Sequence, residues 1–366
     1  MSRRDRGAAI VFAVVLGASL LGPLPAALAQ QSCDGQGVTI HGTPGDDTLR
    51  GTNRRDVIHG GRGSDTILGL GGNDVICTGP GGGTVDGGPG NDRILGGSEF
   101  DALNGGAGDD VLLGAGGNDV LAGQDGVDRI FAGDGKDVIE GNFGNDVELR
   151  GEGGIDDIFG GRGDDILYGG DDNDPLFGGS GNDEMWGDAG ADTMAGGPGD
   201  DIMDGGDGND GLDGEAGADS LGGGPGDDHL DGNDVDSLAE EDDHLVGGPG
   251  FDSLEGRGGN DLLFGGDDDD LMSGGAGDDF VHGDAGDDHV NGNEGNDTLT
   301  GGAGDDSIAG YAGNDTMFGD EGNDGLAGGD GNDTLDGGDG TDGLAGDGGE
   351  DTCTNGETLH SCEHPP

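Results

Sequence analysis

Basic residues are scarce. The chain carries 13 lysines and arginines, only one of them a lysine (Lys136), against 80 aspartates and glutamates, for a formal net charge of -67. A surface of that sign repels nucleic acid and anionic membranes, so neither is an expected partner. There is no H-E-x-x-H run, no G-x-S-x-G elbow and no phosphate-binding loop with a lysine, so nothing points to catalysis. Cysteine is limited to Cys33, Cys77, Cys353 and Cys362, and neither Cys nor His recurs at a ligand spacing, which argues against zinc or copper.

Glycine, by contrast, supplies 96 of 366 residues, and its placement follows a rule. From Gly42 to Thr354 a nine-residue phrase recurs, cleanest at Gly301-Gly302-Ala303-Gly304-Asp305-Asp306-Ser307-Ile308-Ala309. Places one, two and four are glycine, place six is aspartate and place eight is aliphatic. The place-six residues begin Asp47, Asp56, Asp65 and Asp74, then continue as Asp92, Asp101, Asp110, Asp119, Asp128, Asp137 and Asp146. A degenerate copy from Thr78 to Asp86 sets Gly83 where the aspartate belongs. One residue is inserted near Arg150, after which the series is Asp156, Asp165, Asp174, Asp183, Asp192, Asp201, Asp210, Asp219 and Asp228. The segment Gly232 to Val246 is a nonamer with an insertion that includes Leu238-Ala239-Glu240-Glu241. The count then resumes with Asp243, Asp252, Asp261, Asp270, Asp279, Asp288, Asp297, Asp306, Asp315, Asp324, Asp333, Asp342 and Asp351.

Glycine at places one, two and four permits a tight turn with carbonyl oxygens exposed on its concave side. The next three residues, as in Thr298-Leu299-Thr300, read as a short strand with one side chain pointing inward. Two nonamers then complete an eighteen-residue coil with a sheet on each side.

The phrase resembles the calcium-binding nonapeptide of the RTX (repeats-in-toxin, haemolysin-type) proteins, and the resemblance spans nearly the whole array through about thirty-four copies. It implies an all-β fold, a right-handed parallel β-roll, with many Ca2+ ions as cofactor. In such a roll alternate copies stack, so their place-six carboxylates lie about 4.8 Å apart. Two bare carboxylates there repel by about 3.5 kcal/mol at an effective dielectric of 20, and a divalent cation between them reverses the sign. Carboxylate and carbonyl oxygens in a flexible cage suit calcium better than magnesium, which demands a tight octahedron. On this reading every place-six aspartate named above is a metal ligand.

Low hydrophobicity with high net charge is ordinarily the mark of disorder. A disordered acidic tail would have no reason to keep its aspartates in one phase, whereas here the phase is kept along the chain. One buried aliphatic per nonamer does not offset the chain entropy of so much glycine, so the metal-free chain is expected to be unfolded and calcium uptake to be coupled to folding.

Residues 1–29 differ in composition. Arg3, Arg4 and Arg6 precede an apolar stretch from Ala8 to Leu21, and Ala27-Leu28-Ala29 is a small-residue cleavage site, the pattern of a secretory signal peptide rather than a retained anchor. The apolar residues that twin-arginine export expects after Arg3-Arg4 are missing, so ordinary secretion is favoured, with a mature chain from Gln30 and no membrane span. Removing the leader takes away three arginines and Asp5, a change from -67 to -69. Four cysteines, two at each end of an exported array, read as Cys33–Cys77 and Cys353–Cys362 disulfides. The expected organisation is a cap at 30–41, a first β-roll block at 42–231 with a minor break near 150, an interrupted repeat at 232–246, a second block at 247–354 and a C-terminal cap and tail at 355–366.

Departures from the pattern mark expected weak points. Gly83 removes a carboxylate, Arg54-Arg55 puts charge at the place-four turn, and Pro175 removes a strand donor. The insertions are expected to interrupt stacking and to divide the array into two or three rolls. Place-nine aromatics Phe159, Tyr168, Phe177 and Trp186 read as cross-strand pairs, with a carbohydrate or partner patch as the alternative. His229, His244, His282 and His289 read as surface decoration. The expected protein is extracellular, binds calcium, has no enzymatic activity and serves a structural, adhesive or ion-sequestering role at a cell surface, matrix or carbohydrate. The alternatives are a carrier module of a toxin or secreted enzyme system, and a disordered polyanion.

Overall fold

The computed structural model describes Cys33, residues 37–232 and residues 241–362; the leader at 1–29, most of the N-terminal cap before residue 37, and Leu238, Ala239 and Glu240 of the insertion lie outside them. The described chain forms 37 short strands in two parallel sheets, one of 19 strands and one of the remaining 18. Successive strands alternate between the sheets, except that Thr334–Asp336 and Asp339–Gly340 share one, and strands pair in register two copies on, as in Ile40↔Ile58, Leu121↔Ile139 and Leu299↔Met317. Stacked residues are 18 apart in sequence, so two nonamers make one coil of an all-β parallel solenoid. No α-helix occurs among the described residues, and no helix is long and apolar enough to cross a membrane.

The strand alternation decides what is inside. In Leu271–Ala276 the place-seven side chain is exposed, Met272 at place eight is fully buried and Ser273 is half-buried. Repeated along both sheets, this lines the interior with a single file of place-eight side chains, from Ile58, Ile67 and Ile76 to Leu335, Leu344 and Cys353. Each contributes about 1.5–3 kcal/mol by leaving water.

Glycine serves two different purposes in the turn. At place four it takes angles closed to other residues, with φ +153° at Gly126 and +157° at Gly208. At place two a side chain is tolerated in the left-handed region, as Ala115 (φ 81°), Arg257 (φ 74°) and Tyr311 (φ 72°) show, so the turn forms there without glycine.

Stacking continues through both insertions, contrary to the expected interruption. The extra residue near Arg150 is Val147, which bulges outward while Arg129↔Glu148 and Leu149↔Leu167 keep their pairing. Across the longer insertion Ser220 pairs with His244 and His229 with Ser253, so the ladder keeps its register in both sheets. Insertions at a turn cost little because the sheets close through hydrogen bonds between coils rather than along the chain. Pro175 likewise deprives Asp156 of a donor, yet Pro175–Ser180 remains paired on both sides.

Phe159 stacks on Phe177 at 5.1 Å on one sheet and Tyr168 on Trp186 at 4.9 Å on the other, with the Arg150 guanidinium 3.9 Å from the Tyr168 ring centre. His229 and His289 are exposed, His244 meets Phe264 edge-on, and His282 donates from Nε2 to Asp284 at 2.9 Å. The structure joins Cys33 to Cys77 and Cys353 to Cys362, with Cα separations of 6.1 and 5.7 Å.

Leu263 is fully buried mid-file. Leu263→Ala is expected to lower stability in saturating calcium by about 2–5 kcal/mol, read as a shift in the urea midpoint, because two rigid sheets cannot collapse onto the void.

Candidate metal centre

The turn that precedes each strand delivers the place-six aspartate to an edge of the solenoid. Alternate copies use opposite edges, so the aspartates form two columns. One runs from Asp47 and Asp65 through Asp101, Asp119 and every second copy to Asp342; the other runs from Asp56, Asp74 and Asp92 to Asp351. All are buried except Asp47, which is partly covered.

Within a column the contacts repeat. The backbone N–H of each aspartate donates to Oδ1 of the aspartate one coil on, at 2.7 Å from Asp74 to Asp92, 2.8 Å from Asp165 to Asp183 and 2.9 Å from Asp297 to Asp315. The same bond spans the long insertion, from Asp219 to Asp243 and from Asp228 to Asp252, both at 2.8 Å. Oδ2 is the unspent atom. It is buried without a hydrogen-bond partner in every place-six aspartate other than Asp47, Asp56, Asp101 and Asp243. A buried carboxylate oxygen left in that state is costly, and its repetition along the array asks for a common partner.

The surroundings of Oδ2 are oxygen-rich. A methyl group at place-one Gly160 would stand 2.5 Å from the Gly178 carbonyl oxygen of the next coil and 2.7 Å from Asp165 Oδ2; at Gly114 the corresponding contacts are 2.5 Å to the Ala132 carbonyl and 2.6 Å to Asp119 Oδ2. Carboxylate and carbonyl oxygens thus converge beside the place-one Cα, in a cradle that most side chains would fill. Among the described residues no group of three or more His, Cys, Asp or Glu side chains is placed to hold a metal ion by itself, so a cation held here would complete its shell with backbone carbonyls. An all-oxygen set of this kind, part charged and part neutral, fits a hard cation of high coordination number.

Without a cation the columns resist ionisation. Desolvation, followed by repulsion from aspartates in the same column, pushes Asp110, Asp219, Asp261 and Asp270 up to about 8, while Asp92, Asp174, Asp183 and Asp252 rise to about 6, chiefly by desolvation. The backbone N–H donated by the preceding aspartate opposes the rise in each case.

Several site features escape the repeat count. At Asp47 the N–H and hydroxyl of Thr43 both donate to Oδ2, and at Asp56 the N–H and hydroxyl of Thr52 do so at 2.7 and 2.8 Å. Asp101 Oδ2 accepts the Gly97 N–H at 2.7 Å. In the degenerate copy Thr78 packs into the space that Gly83 leaves, and Asp65 N–H turns to the Gly82 carbonyl. At the far end Glu357 substitutes for the next aspartate, accepting the Asp342 N–H at 2.7 Å. A threonine four residues before the aspartate is legible in sequence; Glu357, off the nine-residue step, is not.

The sign of the pH dependence follows from the raised values. A carboxyl whose folded-state pKa lies above its unfolded value of 3.8 favours folding when protonated, so the contribution is complete below about pH 4 and is lost as pH rises through about 6 to 8. Metal-free protein is therefore expected to gain far-UV β-signal on acidification from pH 8 to pH 4, and a coil spectrum throughout would contradict the column geometry.

The family model for the RTX calcium-binding nonapeptide repeat (4 copies) matches residues 40–84, 86–121, 113–148, 150–185, 186–221, 213–236, 239–272, 264–299, 291–326 and 326–353. No curated protein matches the chain. With its nonamers, its parallel solenoid and its paired aspartate columns covered from residue 40 to residue 353, the chain belongs to the RTX calcium-binding nonapeptide repeat family.

Proposed function

We propose that this is an exported protein whose array folds as it takes up many Ca2+ ions, and that it serves outside the cell as a structural, adhesive or ion-sequestering rod. The observation that carries the reading is the orphaned Oδ2 repeated along both edges beside backbone carbonyls. Bound calcium would supply positive charge between stacked carboxylates. The chain's own part is to present one carboxylate and neighbouring carbonyls per nonamer, to hold each aspartate by the N–H bond to its Oδ1, and to exclude water from the column. The place-six aspartates from Asp65 onward are the proposed ligands, with Asp47 and Asp56 already satisfied by threonine. The leader-like composition of residues 1–29 supports export, and extracellular calcium would then fold the chain after it has crossed as a thread. The repeats account for the whole stretch from residue 40 to residue 353, which supports a non-enzymatic role.

Calcium titration followed by far-UV circular dichroism, with magnesium at equal ionic strength as control, tests this. A cooperative gain of β-signal is expected with calcium and a much weaker one with magnesium. An equally strong β-spectrum in excess chelator at pH 7.5 would overturn the proposal.

A further inference from the structure

The two ends of the array are not equivalent. Residues 37–100 carry eight acidic and five basic side chains, whereas residues 101–366 carry 70 acidic and five basic ones. Repulsion that opposes the metal-free fold is thus concentrated beyond residue 100. Arg50, Arg54, Arg55 and Arg62 belong to the first three copies, where Arg54-Arg55 stands in for the usual glycine and acidic residue of the turn.

The first two copies also satisfy their carboxylates internally. Thr43 and Thr52 close Asp47 and Asp56 at the oxygen that is orphaned nearly everywhere else, and in the degenerate copy Gly83 removes one member of a column while Thr78 fills its place. Asp65, Asp74 and Asp92, the other place-six aspartates of this stretch, keep an unpartnered Oδ2.

Burial differs as well. Most outward side chains further along are open or half-open to solvent, Leu113 and Phe131 being buried exceptions, but here Cys33, Val57, Val75 and Cys77 form a second apolar cluster outside the sheet, with Val38 and Leu95 packed against it. Thr39 ties the N-terminal segment down, its hydroxyl donating to the Val57 carbonyl and accepting the Val57 N–H, both at 3.0 Å. The Cys33–Cys77 bond closes a separation of 44 residues across the same coils and so restricts the unfolded chain there. Three features, a small net charge, threonine donors on the Asp47 and Asp56 carboxylates, and a buried apolar cluster outside the sheet, coincide in one segment.

We propose that Cys33 and residues 37–100 form a calcium-independent seed, whose exposed last strands template the calcium-dependent coils that follow. The inference rests on the reading that the rest of the array needs calcium. It gives folding a direction: growth from the seed adds one coil to an existing edge, which avoids the loop-closure cost of starting a solenoid anew.

Hydrogen exchange with mass spectrometry on the full-length, oxidised protein, in chelator and in excess calcium, tests it. In chelator, amides of residues 39–95 are expected to exchange at least about tenfold more slowly than those of residues 105–351, with the whole array protected in calcium. Equal, rapid exchange of both stretches in chelator, with protection throughout in calcium, would overturn the seed and leave the proposed function standing. Protection of the entire chain in chelator would overturn both. Thr43→Val combined with Thr52→Val should cut protection of residues 39–77 about tenfold in chelator and leave calcium-loaded protection unchanged. No change in chelator would show that the two hydroxyls do not hold the seed.

Discussion

Stacked carboxylates govern this molecule. A parallel solenoid sets each residue one strand spacing from its equivalent, so an aspartate fixed in the repeat becomes a column of aspartates. Burial at the edges removes the water that would screen them, and desolvation raises their pKa values toward and above neutrality. The N–H to Oδ1 bonds hold the carboxylates in line without neutralising them. Whatever compensates the remaining charge decides whether the fold exists at a given pH.

The rest of the repeat serves that column. Place-eight aliphatics give a file one side chain wide, enough to fix which way each strand faces but thin for a chain of this length. Place-one glycine keeps space beside Oδ2, and place-four glycine supplies the φ that turns the chain into the strand. Place two is freer, and the chain uses it for threonine in the first copies and for charged or aromatic side chains later. Local irregularities are absorbed because the ladder between coils, rather than the chain connectivity, carries the structure: Val147 bulges out and Pro175 omits one bond, while the pairing on either side persists.

Much of the fold was legible in the sequence because a nine-residue period with one inward side chain leaves few ways to bury it. The two-sheet coil, the inward place-eight residues, and the neighbouring Phe159–Phe177 and Tyr168–Trp186 pairs all follow from counting. The effect of the insertions did not, since a count along the chain cannot tell a broken ladder from a loop that leaves it and returns. The differing surroundings of the place-six aspartates did not follow either: Asp47 and Asp165 occupy one place in the phrase but differ in what reaches Oδ2.

The sequence by itself determined the period, the identity of the side chain at each place and the large excess of negative charge, because these are properties of order and composition. Only the tertiary structure decided which oxygens remain unpartnered, that Thr43, Thr52 and Glu357 enter the columns, and that the first coils gain a second apolar layer. Those outcomes depend on atoms brought together from one coil to the next, at separations that the order of residues does not specify.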